Sequence, residues 1–300
     1  MSKDLAASVK ARLMRISRDE KRAFNTILLL YMQERLLYRL SLSEYKNRFI
    51  LKGGLLLFSM NNFKGRPTRD IDFLADDISN ELENIRKTFI GICGIQYDDG
   101  ITYDIDGITV ERIKEDAEYE GVRVKIKSFL GKASETIQID IGFGDIVIPN
   151  PMEMTFPTLF EANTPQIMAY SKESIIAEKF QAMVLLNVYN SRMKDFYDIY
   201  DMINKNEFEY SNLINAIKET FIKRETNINM YSSIFTSEFM NDTERNKMWN
   251  NFLKRIGVTN NIIYSDVMKI LEKFLRPVCK GIIDNTVQNS IWDYEKLEWK

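Results

Sequence analysis

Two apolar periods occupy this chain, and each keeps to its own stretch. Between Ile101 and Ile141 apolar residues alternate, as in Ile101, Tyr103 and Ile105, then Ile108 and Val110, then Val122, Val124 and Ile126, then Ile137, Ile139 and Ile141. That is the period of half-buried strands. Beyond the proline-bearing stretch from Pro149 to Pro165 the spacing becomes helical, over 171–187, 193–203, 212–222, 242–256 and 264–279. Strands in a block, then helices in a block, predict an α+β architecture. They also place a domain boundary near residue 165, with a sheet-bearing core over 1–165 and a helical domain over 166–300. Adjoining strands imply antiparallel pairs, and Asp106-Gly107 predicts a two-residue hairpin.

The opening residues prepare that sheet. Phe24, Ile27, Leu28 and Tyr31 mark a helix read from Arg18 to Leu40. RFILKGG (48–54) is a short strand or the start of a helix, and Leu55 to Phe63 gives one or two apolar helical turns. A loop around Gly65 and Pro67 closes them. RDIDFLA follows as a strand, and 78–93 as an amphipathic helix. A chain of 300 residues, 45% hydrophobic, can bury a full core. No apolar run approaches the ~20 residues that span a bilayer. The charged start MSKDLAASVKARLMR has no signal-peptide core, so the expected location is cytoplasmic.

The chain has no histidine and two cysteines, Cys93 and Cys279. Ser-His and Cys-His nucleophile pairs, imidazole acid–base chemistry and histidine-ligated metals are therefore excluded. Chemistry must rest on carboxylates, lysines and hard cations such as Mg²⁺ or Mn²⁺. Within KGGLLLFSMNNFKGRPTRDIDFL (52–74), Asp70 and Asp72 lie two apart on a strand and so project to one face. Like charges this close call for a cation between them. Gly53 and Gly54 let backbone approach a ligand, and the helix start after them offers N–H groups to a phosphate. Lys64, Arg66 and Arg69 add positive charge. Asp140, in TIQIDIGFGD, faces away from its own isoleucine stripe and joins the pair if the two strands are neighbours. Three carboxylates around metal ions suit in-line phosphoryl chemistry.

Charge is unevenly spread. Residues 1–69 hold 15 Lys and Arg against 5 Asp and Glu, whereas the remainder holds 26 against 38. The basic part reads either as a solvated helix face or as a footprint for phosphates or RNA. Other motifs are weaker. Asp104-Ile105-Asp106 repeats the Asp-x-Asp form, but a turn accounts for it and it fails as a calcium loop. GFG at 142–144 lacks the third glycine of a dinucleotide loop, and GKAS at 131–134 lacks the upstream glycine of a P-loop.

The Gly-Gly turn, the short helix, Asp-x-Asp on a strand and a later lone Asp resemble the DNA polymerase β type nucleotidyltransferase superfamily. More closely, ERLLYRLSLSEYKNRFILKGGLLL, RPTRDIDFL, IQIDIGFGD, AEKF and KDFYDIYD resemble the AbiEii/AbiGii nucleotidyltransferase toxins of phage-defence toxin–antitoxin systems. The resemblance implies a nucleotidyltransferase core with a mixed sheet, a helical C-terminal domain, and NTP with Mg²⁺ between them. It implies that Asp70, Asp72 and Asp140 hold metal, and that Lys179, Lys194, Asp195 and Asp198 act from the helical part. On spacing alone, Lys194 and Asp198 form an ordinary helix-surface pair. The implied reaction moves NMP from NTP to an RNA acceptor, such as a tRNA 3′ end, and the implied partner is a DNA-binding antitoxin. The same carboxylates would also serve a metal-dependent nuclease, or a silent NTP- or RNA-binding module. Where the superfamily commonly has Ser or Thr after the second glycine, this chain has Leu55, which removes a hydroxyl contact to phosphate.

Overall fold

The computed structural model describes residues 3–115 and 119–300. It divides into two compact units, Met1–Gly144 with Pro151–Tyr170, and Asp145–Asn150 with Ser171–Lys300.

In the first unit, α1 (Lys3–Asp19) and α2 (Phe24–Leu42) precede β1 (Phe49–Lys52), α3 (Gly53–Met60), β2 (Asp70–Ala75) and α4 (Leu82–Gly94). Strands β3 (Ile101–Tyr103), β4 (Thr109–Glu115), β5 (Tyr119–Leu130), β6 (Ala133–Phe143), β7 (Met152–Thr155) and β8 (Gln166–Ala169) follow. They form one eight-stranded mixed sheet in the order β3-β5-β6-β2-β1-β8-β7, with β4 also on β5. β2 runs parallel to β6 and antiparallel to β1, which is parallel to β8.

One helix was expected from Arg18 to Leu40, and the structure has two. Lys21 takes the left-handed conformation (φ 53). Lys21 and Arg22 donate backbone hydrogen bonds to the Arg18 and Ser17 carbonyls. This is the helix-ending arrangement usually built on glycine. With lysine in the glycine position, the stop left no mark in the sequence. α2 is buried on all sides from Ile27 to Leu40, so Gln33, Glu34, Arg35 and Arg39 are interior. Each charge there has a partner. Arg39 grips Asp99 through two nitrogens (2.6 and 3.1 Å), and Arg35 meets Glu34 at 2.7 Å. Glu34 also accepts the Leu159 N–H at 2.7 Å. Burial pushes its carboxyl up to about 7 despite Arg35 beside it.

The expected hairpin at Asp106-Gly107 is absent, because β3 and β4 both pair with β5, at 128–130 and 119–125. Asp104 accepts the Gly107 N–H at 3.1 Å, and Arg86 donates to the carbonyls of Asp106 and Ile108. The loop is thus held in a wider path that carries the chain along one edge of β5. The two-residue turn lies instead at Gly131-Lys132, where Leu130 pairs with Ala133 and Gly131 has φ 59. A glycine there meets the positive φ of such turns.

The second unit is built from α5 (Lys172–Leu186), α6 (Met193–Ile203), α7 (Tyr210–Lys223), α8 (Ser237–Met240), α9 (Thr243–Arg255) and α10 (Tyr264–Asp284), with 3-10 turns at 187–189 and 228–235. A small sheet, β9 (Phe208–Glu209), β10 (Ile291–Asp293) and β11 (Glu298–Trp299), was not expected. Its strands are too short to show a period. Fully buried Trp292 and half-buried Trp299 pack against Phe274 with centroids 4.9 and 5.4 Å away. Residues 145–150 belong here because Ser171 and Ser174 bond to Ile148, and Arg224 holds both oxygens of Asp145.

Candidate active site

In the first unit, strand alternation sorts the sheet into two chemistries. Ile71, Phe73, Val122, Val124, Ile126, Ile137, Ile139 and Ile141 point to one face and are buried. Asp70, Asp72, Gln138, Asp140 and Arg123 point to the other. Pairing then does what sequence spacing cannot. Asp72 registers with Asp140 and Asp70 with Gln138 on the adjacent parallel strand. Lys52 registers with Asp72 from β1, and Arg123 with Asp140 from β5. The result is a row across four strands, Lys52, Asp72, Asp140, Arg123, in which two carboxylates lie between two cations.

Asp72 is seated by the glycine pair. Gly53 has φ 67, and a Cβ there would lie 2.0 Å from Asp72 Oδ2, so any side chain would expel the carboxylate. Gly54 N–H donates to that same oxygen at 3.3 Å. The start of α3 thus faces a carboxylate of its own chain. A Cβ on Gly54 would lie 3.0 Å from Thr68 Oγ1 and 3.5 Å from an Arg66 nitrogen, which brings Arg66 over the glycine pair. Lys64 and Arg69 are exposed on the same loop, whose end is tied down by Gln33 donating to the Arg69 carbonyl at 2.8 Å. Leu55 is fully buried and serves the core.

Asp140 is 8% exposed and strongly held. Arg123 donates Nε to Oδ1 at 2.7 Å and Nη2 to Oδ2 at 2.8 Å, and Gln138 Nε2 adds a contact at 3.3 Å. The Asp140 bond, with Asp70 and Glu111 further off, holds the Arg123 guanidinium above its ordinary value. Among the described residues no three carboxylates, cysteines or histidines converge as a metal cage. Arg123 and Lys52 escaped the sequence reading. Alternation in GVRVKIK does put Arg123 opposite the buried valines, but only strand register puts it on Asp140.

In the second unit, Lys179 of α5 meets two aspartates of α6. Its Nζ lies 3.0 Å from Asp195 Oδ1 and 2.8 Å from Asp198 Oδ2. Arg192 Nε closes on Asp195 Oδ2 at 2.8 Å as an ion pair without hydrogen-bond alignment. Side-chain exposures are 13% for Lys179, 6% for Asp198 and 1% for Asp195. Burial works against charge on Lys179, but Asp198 and Asp195 outweigh it and hold the ammonium above the lysine range. Burial likewise opposes charge on Asp195, which Lys179, Arg192 and Lys194 overcome, keeping its carboxyl below the usual range. Lys194 itself is exposed.

A mixed sheet with in-register aspartates, a glycine pair seating one of them and a following helical unit define a nucleotidyltransferase-type α+β protein. Residues 35–273 match the family described as nucleotidyl transferase AbiEii toxin, type IV toxin–antitoxin system, and the chain belongs to that family. Membership implies a cognate antitoxin. A candidate nucleotidyltransferase from H. pylori is a solved structure 16% identical to this chain, covering 88% of it and 97% of its own length, with TM-score 0.42. JHP933 from Helicobacter pylori is 14% identical, covering 88% and 95%, with TM-score 0.43. No curated protein matches. Among the described residues no helix is long and apolar enough to cross a membrane.

Proposed function

We propose that this protein transfers a nucleoside monophosphate from an NTP to a hydroxyl of an RNA acceptor, releasing pyrophosphate, with the 3′ end of tRNA as the first acceptor to test. One observation carries the reading: in a member of a nucleotidyl transferase family, Asp72 and Asp140 stand in register on adjacent strands, on the face that Asp70 shares. The donors are all carboxylate oxygens, which fit Mg²⁺ or Mn²⁺. Asp70 and Asp72 would hold the ion, and Asp140, whose oxygens now accept from Arg123, would complete the set. Bound there, such an ion would polarise the phosphate and favour the ionised acceptor hydroxyl.

The chain's own groups supply the rest. A carboxylate of the row accepts the hydroxyl proton. Arg66 over the glycine pair, with Lys64 and Arg69 on the same loop, balances triphosphate charge. In the second unit, Lys179 and Lys194 are the cations offered to phosphate. Asp195 and Asp198 keep Lys179 charged and oriented, and the depth of Asp195 makes it a positioning residue. In the cell this makes the protein a toxin of phage defence acting on cytoplasmic RNA, neutralised by a DNA-binding antitoxin.

Incubation with each α-labelled NTP, Mg²⁺ and tRNA or total RNA tests the reading. Labelled, lengthened RNA that disappears with Asp70→Asn supports it. Shortened RNA supports a nuclease, and unchanged RNA with bound NTP supports a silent binding module.

A further inference from the structure

We propose that Arg123 is a resident counter-ion of the carboxylate row and competes with a divalent metal ion for Asp140. This rests on the reading that metal binds at the row. Arg123 meets Asp140 as two parallel hydrogen bonds of 2.7 and 2.8 Å, the strongest geometry available to a guanidinium and a carboxylate. Gln138 adds a third donor. Both oxygens of Asp140 are therefore engaged by this chain's own donors.

Charge along the row favours the competition. Asp72 and Asp140 are direct neighbours on adjacent strands, where like charges repel. Lys52 and Arg123 flank them in register, so the four side chains sum to zero before any metal arrives. With Asp70 on the same face the site is one charge negative, and a divalent ion bound there would leave it one charge positive unless a cation withdraws. Lys52 is 7% exposed, whereas the Arg123 side chain is 30% exposed and has somewhere to go. Its other cross-strand neighbour is Glu111 on β4, a 54% exposed carboxylate now paired with Lys125 at 2.8 Å. Arg123 is thus the member of the row that moves, from Asp140 toward Glu111, and its departure frees the third carboxylate.

Mn²⁺ titration of the full chain without nucleotide, followed by electron paramagnetic resonance of the free ion, tests this. Arg123→Ala is expected to tighten Mn²⁺ binding by roughly tenfold or more, the worth of a charge-assisted pair. Arg123→Lys, which keeps the charge without the fork, should fall between. Adding Asp140→Asn to Arg123→Ala should return affinity to about the wild-type value, because the freed ligand is gone. Arg123→Gln repeats the measurement should the alanine variant unfold. Wild-type and variant proteins binding Mn²⁺ equally, with Asp72→Asn abolishing binding in both, would overturn the role of Arg123 and leave the metal reading standing. Binding indifferent to Asp72→Asn would overturn both.

Discussion

Each unit contains two aspartates set among cations, and the two groups differ in what surrounds them. On the sheet, Asp72 and Asp140 come from different strands, with Asp70 partly open to solvent and Arg123 at the exposed end. In the helical unit, Lys179 sits between Asp195 and Asp198, these three almost entirely out of water, and Arg192, 31% exposed, closes the set. The row of four on the sheet and the helical four each sum to zero, and Asp70 adds one negative charge beside the row. Lys179, Asp195 and Asp198 cannot be exchanged, because removing any of them leaves uncompensated charge in a low-dielectric interior. A cation of the sheet row can, because on leaving it enters water. Equal composition therefore divides into a place where ions are swapped and a place where one lysine is fixed.

The largest effect that separates the two groups is catalytic. Asp72→Asn should reduce label transfer by at least about a hundredfold. It should leave the melting temperature unchanged or higher, since it relieves repulsion with Asp140. A large loss of stability would make Asp72 a structural partner of Gly54 instead. Lys179→Met comes next and should act in reverse. It removes the buried cation shared by Asp195 and Asp198 and should cost about 3–5 kcal/mol in denaturant unfolding. Replacing Asp195 and Asp198 by Asn as well should restore most of that. Lys179→Met should also raise KM for NTP, and an unchanged KM would confine Lys179 to the scaffold.

A smaller effect concerns pH. The Asp195 carboxyl is held below its ordinary 3.8, so its contribution is present above that value and lost as pH falls through the lower folded value. Lys179 is held above 10.5, so its contribution is complete below that value and lost as pH rises through the folded one. The helical cluster should therefore be flat between roughly pH 4 and 10. The first unit has the opposite feature in Glu34, raised from 4.5 to about 7. Between those values the folded form keeps a proton that the unfolded chain has lost, so stability falls as pH rises, by at most a few kcal/mol. Melting curves across that window should slope for the wild type and flatten for Glu34→Gln. The smallest effect is ionic. Added salt should weaken RNA binding, and Arg15→Gln with Arg18→Gln should lower the salt slope by about one per lost phosphate contact, while denaturant unfolding of Lys179→Met barely responds to salt.

Much of this was legible in the sequence where a period or a breaker carried it. Asp70-Ile71-Asp72 declares its own face, Ile137 to Ile141 declares a strand, and α6 begins and ends where its spacing says. Register was not legible. Nothing in GVRVKIK states that Arg123 lies across from Asp140 rather than one residue away, since register is settled by the whole sheet closing at once. Nor was the end of α1, because Lys21 performs a glycine's task, nor the path of Asp104 to Gly107, where a side-chain bond replaces the tight turn. The glycine pair shows the limit well. Its permissive backbone was legible, but its need to leave room for Asp72 depends on a contact eighteen residues away.

The short segment 145–150 has a bearing on inheritance. It is written in the gene ahead of β7 and β8, yet its bonds are to Ser171, Ser174 and Arg224. A recombination joint anywhere from 151 to 170 would give a descendant its helices from one parent and their partner segment from the other. Such chimaeras lose the Asp145–Arg224 grip whenever the parents differ at either position. The two halves can be exchanged as cassettes only between parents that keep both positions.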